Sequence, residues 1–423
     1  MEKSETNGRR MKQVLVIGAG IGGLTTALSL HKKGIKVKVF EAVREIKALG
    51  VGINLLPHST KVLIELGLQE ALEESAVLTE SLSYHSKDGK EIWQEARGKA
   101  AGYEHPQYSI HRGELQMILL KAVQEAIGNE NIFTGHRLID FSQTEKKVSG
   151  KFQLNDSDSE YAEFEGDLLI GADGIKSKVR STFYPSEGEP IFSGLMLWRG
   201  AVETDQFLTG KSMVMCGHNT LKAVLYPISG KASQRGRSLV NWIAERRVGP
   251  DYYNEKQDWN RKGNTDDFLP HFKSWDFGWL NFPKIVEQTK EIFEFPMIDR
   301  DPISKWTFGR VTLLGDAAHP MYPNGSNGAS QAIIDAENIS TQLQIHESIQ
   351  EALNNYETER LPKTSKLVLD NRKTGPEKVM QLAEDSCNGK CGSVHTCIQE
   401  SDLQQIASQY KKLAGFEKTA RAT

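Results

Sequence analysis

The 423-residue sequence has little of several features that mark specialised classes of protein. It contains four cysteines, too few for a scaffold held together by disulfides. No apolar run is long enough to cross a bilayer, and the polar first ten residues lack the apolar centre of a signal peptide. The net charge of −3 gives no basic excess that would suit nucleic acid. The composition predicts a cytoplasmic globular protein of one large or two moderate domains, with no nucleic-acid or membrane partner.

The cysteines also give little reason to expect a metal. Three of them, Cys387, Cys391 and Cys397, lie close together near the C-terminus, with His395 among them. Their spacing matches no standard zinc pattern. Reduced thiols on a helix or tail are the simpler interpretation, so we predict no bound metal.

The first distinctive feature that is present is a glycine-rich turn near the N-terminus. A strand-like apolar run at residues 14–17 leads into Gly18, Gly20 and Gly23, and helical spacing follows. In this context the first glycine permits a tight turn, the second lets the backbone approach a pyrophosphate, and the third lets helix pack on strand. Glu41 ends the next strand about twenty residues on, where a carboxylate can bind ribose hydroxyls. The unit predicts a bound dinucleotide.

Three further features favour FAD over a nicotinamide as that dinucleotide. Asp173 follows a buried strand at residues 167–171, and Gly315 with Asp316 follows another, where the aspartate can hydrogen-bond a ribityl chain. Arg112 lies in the first turn of a helix, against the helix dipole, so a nearby phosphate would explain it. A surface salt bridge is the alternative. Because only one dinucleotide fingerprint is present, NADH or NADPH is expected to dock transiently as co-substrate.

A loop of small residues leads into a helix in the last third of the chain. Small side chains leave room for a planar ring to approach the backbone. The helix N-terminus supplies unpaired N–H groups and partial positive charge, which would stabilise the anionic reduced flavin at N1 and the C2 carbonyl. An ordinary glycine loop before a core helix is the alternative. The loop spans residues 323–329 and includes Gly325, Asn327, Gly328 and Ala329.

The order of the predicted elements gives the fold class. Three strand-like runs at residues 195–202, 221–228 and 238–244 follow one another without helices, between regions where strands and helices alternate. We predict an α/β fold in which a Rossmann-like FAD-binding domain, with a parallel sheet and βαβ units, is interleaved with a mostly antiparallel-sheet substrate domain and C-terminal helices. A helix over 354–369 is expected to break at Pro362. The predicted domains are 12–83, 104–190 and 296–370 for FAD, 84–103 and 191–295 for substrate, and 371–423 for a helical tail.

With these motifs in order, the chain resembles the class A flavoprotein aromatic hydroxylases, the group of para-hydroxybenzoate and salicylate hydroxylases. The resemblance covers residues 12–370. Within the group it is strongest to monooxygenases that act on phenazines. The segments that carry this closer resemblance are 50–54, 106–116, 198–200, 226–229, 239–242 and 297–302.

The resemblance implies a role for each motif residue. The three fingerprint glycines would hold the pyrophosphate, and Glu41 the adenosine ribose. Arg112 would contact the phosphate and ribityl region, and Asp316 the ribityl chain, while Asp173 would lie near the pyrophosphate and influence the use of NAD(P)H. Many members carry Gly-Gln-Gly where this chain has Gly-Ser-Asn-Gly at 325–328. The cofactor-binding residues implied are Gly18, Gly20, Gly23, Glu41, Gly52, Arg112, Asp173, Gly315, Asp316, Gly325, Asn327, Gly328 and Ala329.

The resemblance also implies the reaction. NADH or NADPH would reduce FAD, dioxygen would add to give a C4a-hydroperoxide, and its terminal oxygen would attack an electron-rich ring. The expected substrate is a phenolic, aromatic-acid or phenazine-like small molecule, and the expected assembly a monomer or homodimer. Three alternatives stay open: a non-oxygenating FAD-dependent oxidoreductase on the same fold, an antibiotic-modifying flavin monooxygenase, and a flavin-binding regulatory protein without turnover.

The substrate is expected between the flavin and the inserted sheet. Aromatic side chains suit a flat ring, and an arginine can pair with a substrate carboxylate, although each aromatic can equally belong to the core. No residue is clearly catalytic. His319 could act as a base for a phenol, or it could simply cap or pack. The predicted walls of the substrate site are Trp198, Arg199, Tyr226, Trp242 and Pro323.

Overall fold

A computed structural model describes residues 12–155, 157, 159–249, 252, 261–373, 375–387 and 398–417. The predicted cysteine group falls outside these residues, apart from the backbone of Cys387. The strands are β1 Gln13–Ile17, β2 Lys36–Phe40, β3 Gly52–Leu55, β4 Val77–Leu78, β5 Ser81–His85, β6 Glu91–Ala96, β7 Tyr108–His111, β8 Ile132–Phe133, β9 His136–Gln143, β10 Val148–Leu154, β11 Tyr161–Gly166, β12 Leu168–Gly171, β13 Ile191–Asp205, β14 Ser212–His218, β15 Leu221–Pro227, β16 Arg237–Arg247, β17 Ile292–Asp299 and β18 Val311–Leu313. The α-helices are α1 Ile21–Lys32, α2 Pro57–Glu65, α3 Gln69–Ser75, α4 Arg112–Ile127, α5 Lys178–Phe183, α6 Gly230–Gln234, α7 Phe282–Glu287, α8 Gly328–Ile345, α9 Ile349–Asn371, α10 Lys378–Cys387 and α11 Glu400–Leu413.

A five-stranded parallel sheet forms the nucleotide half, in the order β18-β12-β1-β2-β8. Its central strands β1 and β12 are apolar and almost wholly buried, as expected for a parallel sheet covered on both faces. Helices α1 and α8 pack against each other beside this sheet. The loops that follow β1, β12 and β18 therefore leave the sheet at the same edge, where α/β folds bind their ligands.

A seven-stranded sheet forms the substrate half, in the order β17-β13-β16-β15-β14-β5-β6. All its pairs are antiparallel except β14 with β5. Separate hydrophobic clusters cover its two faces, and one of them includes Val379, Met380 and Leu403 from the C-terminal helices. Because both faces are buried, the long strands β13 and β16 carry large side chains on each side.

The predicted α/β fold class, with a parallel FAD-type sheet, an inserted mostly antiparallel sheet and C-terminal helices, is confirmed. The predicted helix break at Pro362 is wrong, because α9 continues through it from Ile349 to Asn371. Pro362 is exposed, whereas Arg360, Leu367 and Val368 on either side are buried and hold both halves of the helix in place. Across the described ranges, no helix is long and apolar enough to span a bilayer.

Candidate active site

The turn after β1 has the shape that a pyrophosphate requires. Gly18 has a φ of +103°, and a Cβ there would overlap the Ala172 carbonyl, so only glycine fits. A Cβ on Gly23 would overlap the Gly18 carbonyl, so this glycine lets α1 approach β1. A Cβ on Gly20, in contrast, would meet no atom of the described residues outside its immediate neighbourhood within 4 Å. Gly20 thus borders open space at the N-terminus of α1, where no side chain caps the helix. These residues fit an anionic dinucleotide.

Glu41 stands at the end of β2 and faces the same turn. Its Oε2 accepts a hydrogen bond from the Ala19 amide at 2.8 Å, and its Oε1 accepts one from the Val43 amide at 3.0 Å. The carboxylate is therefore fixed beside the fingerprint. Two bonds to backbone amides leave lone pairs on both oxygens for hydroxyl donors.

Arg112 and Asp316 supply unpaired charges of opposite sign to one cleft. Both side chains are exposed, and neither has a hydrogen-bond or ion-pair partner in the part of the chain that the structure describes. Surrounding protein raises the pKa of Asp316, while His319 and Arg112 oppose the rise. A Cβ on Gly328 would lie 4.0 Å from Asp316 Oδ1, which brings the carboxylate to the start of α8. The salt bridge weighed as an alternative for Arg112 is not formed among the described residues.

Asp173 is engaged in local structure rather than free in the cleft. Its carboxylate accepts hydrogen bonds from the Ser177 hydroxyl at 2.5 Å and from the Lys178 amide at 2.7 Å, at the start of α5. Burial raises the pKa of Asp173, although these donors oppose the rise. Its backbone nevertheless adjoins the turn, since a Cβ on Gly18 would lie 3.2 Å from the Asp173 Cα. Asp173 thus fixes the loop that packs against the turn at Gly18.

The small-residue loop before α8 is held from outside by the C-terminal helix α11. Gly325 has a φ of +72°, and a Cβ there would overlap the Tyr410 hydroxyl. That hydroxyl accepts a hydrogen bond from Asn327 Nδ2 at 2.8 Å and donates to the Asn324 carbonyl at 3.1 Å. No side chain caps α8 at Asn327, so the N–H groups that begin at Gly328 and Ala329 remain available to an anionic ring edge.

Gly52 joins the two halves of the molecule. Its amide donates to Asn241 Oδ1 at 2.8 Å, while its carbonyl accepts from Arg199 Nη2 at 2.8 Å and from the Tyr226 hydroxyl at 2.9 Å. A Cβ at Gly52 would lie 2.7 Å from the Tyr226 ring and 2.8 Å from the Asn241 Cβ. Burial lowers the pKa of Arg199, and the nearby charge of Arg112 lowers it further. The clamp therefore places Arg199 and Tyr226 on the cofactor side of the inserted sheet.

Two predicted substrate residues lie on the wrong face of that sheet. Trp198 and Trp242 are fully buried in the cluster on the far side. The Trp198 indole donates to Glu294 at 3.1 Å, and the Trp242 indole donates to Thr289 at 2.7 Å. Because side chains alternate along a strand, Trp198 must point away from the cleft when Arg199 points toward it. We therefore withdraw both tryptophans as substrate walls; they are core residues.

His319 belongs to a buried ionic network. Its Nε2 lies 2.6 Å from Asp335 Oδ2, which also accepts the Gly315 amide at 3.1 Å. Arg360 Nε donates to the other oxygen at 2.7 Å. Burial alone would raise the pKa of Asp335, but His319 and Arg360 lower it to about 2. This geometry favours the packing alternative for His319, since its partnered nitrogen serves the turn at Gly315 rather than the cleft.

A cavity opens beside the ring loop, between the inserted sheet and α11. Its volume, counted with the open solvent at its mouth, is about 410 Å³, whereas the space open to the centre of a water molecule is about 20 Å³. None of the five predicted wall residues lines it. Sequence reasoning missed its lining because no local pattern marks it: the residues come from seven separated segments and meet only in the fold. They include Tyr84, Arg97, Gln107, Met213, Met215 and Tyr410, together with Gly325 of the ring loop.

Comparisons with known proteins agree with this geometry. A family model for an FAD binding domain matches residues 11–371. Phenazine 1,6-dicarboxylic acid hydroxylase PhzS from Lysobacter antibioticus is 42% identical over 386 residues, covering 88% of this chain and 94% of that protein. A 3-hydroxybenzoate 6-hydroxylase from Polaromonas naphthalenivorans is 29% identical over 378 residues, or 86% and 87% of the two chains. The structure of Klebsiella pneumoniae HpxO with FAD and uric acid has a similar fold, with a TM-score of 0.71 at 23% identity over 97% and 94% of the chains.

Proposed function

We propose that this chain, which belongs to the FAD binding domain family and is a class A flavoprotein hydroxylase, acts on a carboxylated phenazine or a closely similar fused aromatic acid. The predicted activity, an FAD-dependent aromatic monooxygenase that uses NAD(P)H and dioxygen, is confirmed by the family and by its relatives. The observation that carries the proposed substrate class is the similarity to the Lysobacter phenazine hydroxylase along almost all of both chains.

FAD, when bound, carries electrons from NADH or NADPH to dioxygen and supplies the oxygen-transfer chemistry. We assign its pyrophosphate to the open space at Gly20 and its ribose to Glu41. The unpaired Arg112 and Asp316 suit a phosphate and the ribityl hydroxyls respectively, because each has free hydrogen-bonding capacity in the same cleft. The uncapped start of α8 suits the electron-rich edge of the flavin ring.

The chain's own contribution to the reaction is to hold and shield. Tyr410 and Asn327 fix the ring loop from behind, so that its backbone keeps one conformation. The Gly52 clamp fixes the inserted sheet against the cofactor half. A site closed on both sides excludes water, which limits loss of reactive oxygen to side reactions.

The cavity beside the ring loop suits a flat, largely apolar substrate. Leu82, Met213 and Met215 supply apolar surface, and methionines contact aromatic rings favourably. Polar groups, among them Tyr84, Arg97 and Gln107, line the same cavity. A ring system with an acidic substituent matches this mixed lining, whereas the exposed Pro323 would line the approach from the loop.

Three broader features belong to the same proposal. The discontinuous domains proposed from the sequence are supported by the parallel sheet, because all of its strands fall in the segments 12–83, 104–190 and 296–370. We propose further that the enzyme is cytoplasmic and acts as a monomer or homodimer.

The test is turnover with a panel of aromatic acids. We expect the purified protein to be yellow, and phenazine-1,6-dicarboxylate to stimulate its oxidation of NADH or NADPH with formation of a product one oxygen atom heavier. Isotopically labelled dioxygen should supply that atom. Running the panel with both nicotinamide cofactors identifies the preferred one.

Each alternative predicts a different result. Stimulation by 3-hydroxybenzoate but by no phenazine would contradict the fused-ring substrate while leaving the monooxygenase intact. Reduction of an acceptor without oxygen uptake would indicate a non-oxygenating oxidoreductase. The matched control is the same assay without aromatic compound, which measures uncoupled peroxide formation.

A further inference from the structure

Arg97 is a buried arginine with spare hydrogen-bonding capacity in the lining of the cavity. Its side chain lines the cavity together with Gly325 and Ser326 of the ring loop, although the residue as a whole is only 9% exposed. Its Nη2 donates to the Glu95 carboxylate and lies 3.5 Å from the Tyr84 hydroxyl. Its Nε has no hydrogen-bond partner among the described residues. A buried donor left unpaired is costly, which points to a partner that the protein does not itself supply.

Arg97 shares its acidic partner with a second cation. Glu95 is shared, since one oxygen accepts from Arg97 and the other accepts from Lys411 of α11 at 2.6 Å. Burial works against the charge on Arg97, but Glu95 outweighs it and raises the pKa of the guanidinium. The buried Lys222 lies between two further acids, Glu377 and Glu245. Glu95 thus serves two cations, and the Nε–H of Arg97 has no partner among the described residues.

The position of this cluster also suits recognition of a substituent on a ring. Apolar surface from Met213 and Met215 lines the same cavity, and the flavin loop borders it. Arginine presents its donors in a planar fork that matches a carboxylate. The sequence predicted Arg199 as the partner of a substrate carboxylate, but its Nη2 donates a hydrogen bond to the Gly52 carbonyl.

We infer that Arg97, supported by Lys411, is the residue that selects substrates bearing a ring carboxylate. This inference rests on the proposed function, since it names how the same site recognises an acidic aromatic compound. The Nε–H of Arg97 would donate to the substrate carboxylate while Nη2 keeps its bond to Glu95. Lys411 matters because its hold on Glu95 keeps that acid from neutralising Arg97 alone.

The experiment compares acids with their uncharged parents on the holoenzyme. Dissociation constants are measured by equilibrium dialysis for two pairs: phenazine-1,6-dicarboxylate with phenazine, and 3-hydroxybenzoate with phenol. The wild type should prefer the acid in at least one pair. Arg97→Gln should weaken binding of that acid roughly 10- to 100-fold and leave the parent unchanged. Arg97→Lys should recover part of the preference. The control, Arg235→Gln, removes a surface arginine paired with Glu203 and should change neither constant.

Several outcomes would overturn the inference. They are equal weakening of acid and parent in Arg97→Gln, loss of the acid preference in Arg199→Gln instead, or absence of an acid preference in the wild type. Should Arg97→Gln fail to fold, Lys411→Met provides the test, with an expected two- to fivefold loss for the acid only. The proposed function fails separately, if acids bind through Arg97 but no phenazine acid is hydroxylated.

Discussion

The two halves of this molecule hold their functional residues in different ways. In the nucleotide half, several groups that we propose for the cofactor lie in the turn directly after a parallel strand, as Gly20 does after β1 and Asp316 after β18. In the substrate half, the groups that line the cavity lie in or next to strands or on the remote helix α11, as Met215, Arg97 and Tyr410 do. In the nucleotide half, the backbone sets the position of each functional group. In the substrate half, that position depends on the face of the sheet to which the side chain points.

This difference has an energetic side. In the nucleotide half, the charged side chains of Arg112 and Asp316 are exposed and have no hydrogen-bond or ion-pair partner among the described residues. The substrate half buries its charges and must pair them, as the Arg97–Glu95–Lys411 cluster shows. Substitutions in the first half should therefore change ligand affinity, and substitutions in the second should change stability unless they touch the cavity.

The strongest test of the backbone rule is a pair of glycines three residues apart. Gly23→Ala should prevent formation of a stable yellow protein, because the added Cβ overlaps the Gly18 carbonyl. Gly20→Ala should fold normally, because its Cβ enters open space, yet lose FAD where the pyrophosphate would approach. Circular dichroism and visible absorbance separate the two effects. If both variants folded equally well and retained FAD equally well, the proposed difference between the two glycines would be wrong.

The buried Asp335 is an exception in the nucleotide half, because its substitution should change stability. Asp335→Asn should cost about 3–5 kcal/mol of unfolding free energy, since it leaves Arg360 and His319 without their shared partner. Denaturant titration at neutral pH measures this loss. The exposed Glu91→Gln serves as control and should change stability by less than about 0.5 kcal/mol. A cost no larger than that of the control would contradict the network.

We also expect the stability that Asp335 contributes to depend on pH. The pKa of Asp335 is lowered from 3.8 to about 2 in the folded state, so its charged form stabilises the fold at pH values above 3.8. That contribution, about 2 kcal/mol, should disappear as pH falls through about 2. Asp335→Asn should lack this part of the acid transition. Acid-unfolding curves are measured for both proteins, and curves of the same shape would contradict this expectation.

Sequence reasoning reached the nucleotide half because its chemistry is local. A glycine pattern, a strand end and a helix start are contiguous features, so Gly18, Glu41 and Gly315 could be predicted for the cofactor without any long-range contact. The Gly52 clamp was missed on the side of the inserted sheet, although the polar Asn241 within the apolar run of β16 was a usable hint.

The substrate half resisted the same reasoning for a physical reason. Both faces of the seven-stranded sheet are buried, so alternation does not distinguish the cofactor face from the far face, and Trp198 and Arg199 looked alike. The cavity also depends on distant partners, since Lys411 and Glu95 lie 316 residues apart in sequence. Contacts of that separation leave no local pattern to read.

A more moderate effect is expected from the free carboxylate of the nucleotide half. Asp316→Ala should weaken FAD binding roughly 10- to 100-fold, because it removes an acceptor for the ribityl hydroxyls. The apoprotein should keep its stability to within about 0.5 kcal/mol, since Asp316 has no partner among the described residues to lose. Flavin titration and thermal melting of the apoprotein measure the two quantities. A fully yellow variant would remove Asp316 from the cofactor site, and the exposed Asp205→Ala is the control.

The smallest effect on binding is expected at the far face of the substrate sheet. Trp242→Phe should lower stability by about 1–3 kcal/mol, because it removes the indole bond to Thr289 and some packing volume. It should leave the dissociation constant of an aromatic acid unchanged, because the ring lies across the sheet from the cavity. Met215→Leu nearly conserves volume but lines the cavity, so it should alter that constant at little cost in stability. If Trp242→Phe weakened binding while Met215→Leu did not, the substrate would occupy the other face, and the assignment of the two faces would have to be exchanged.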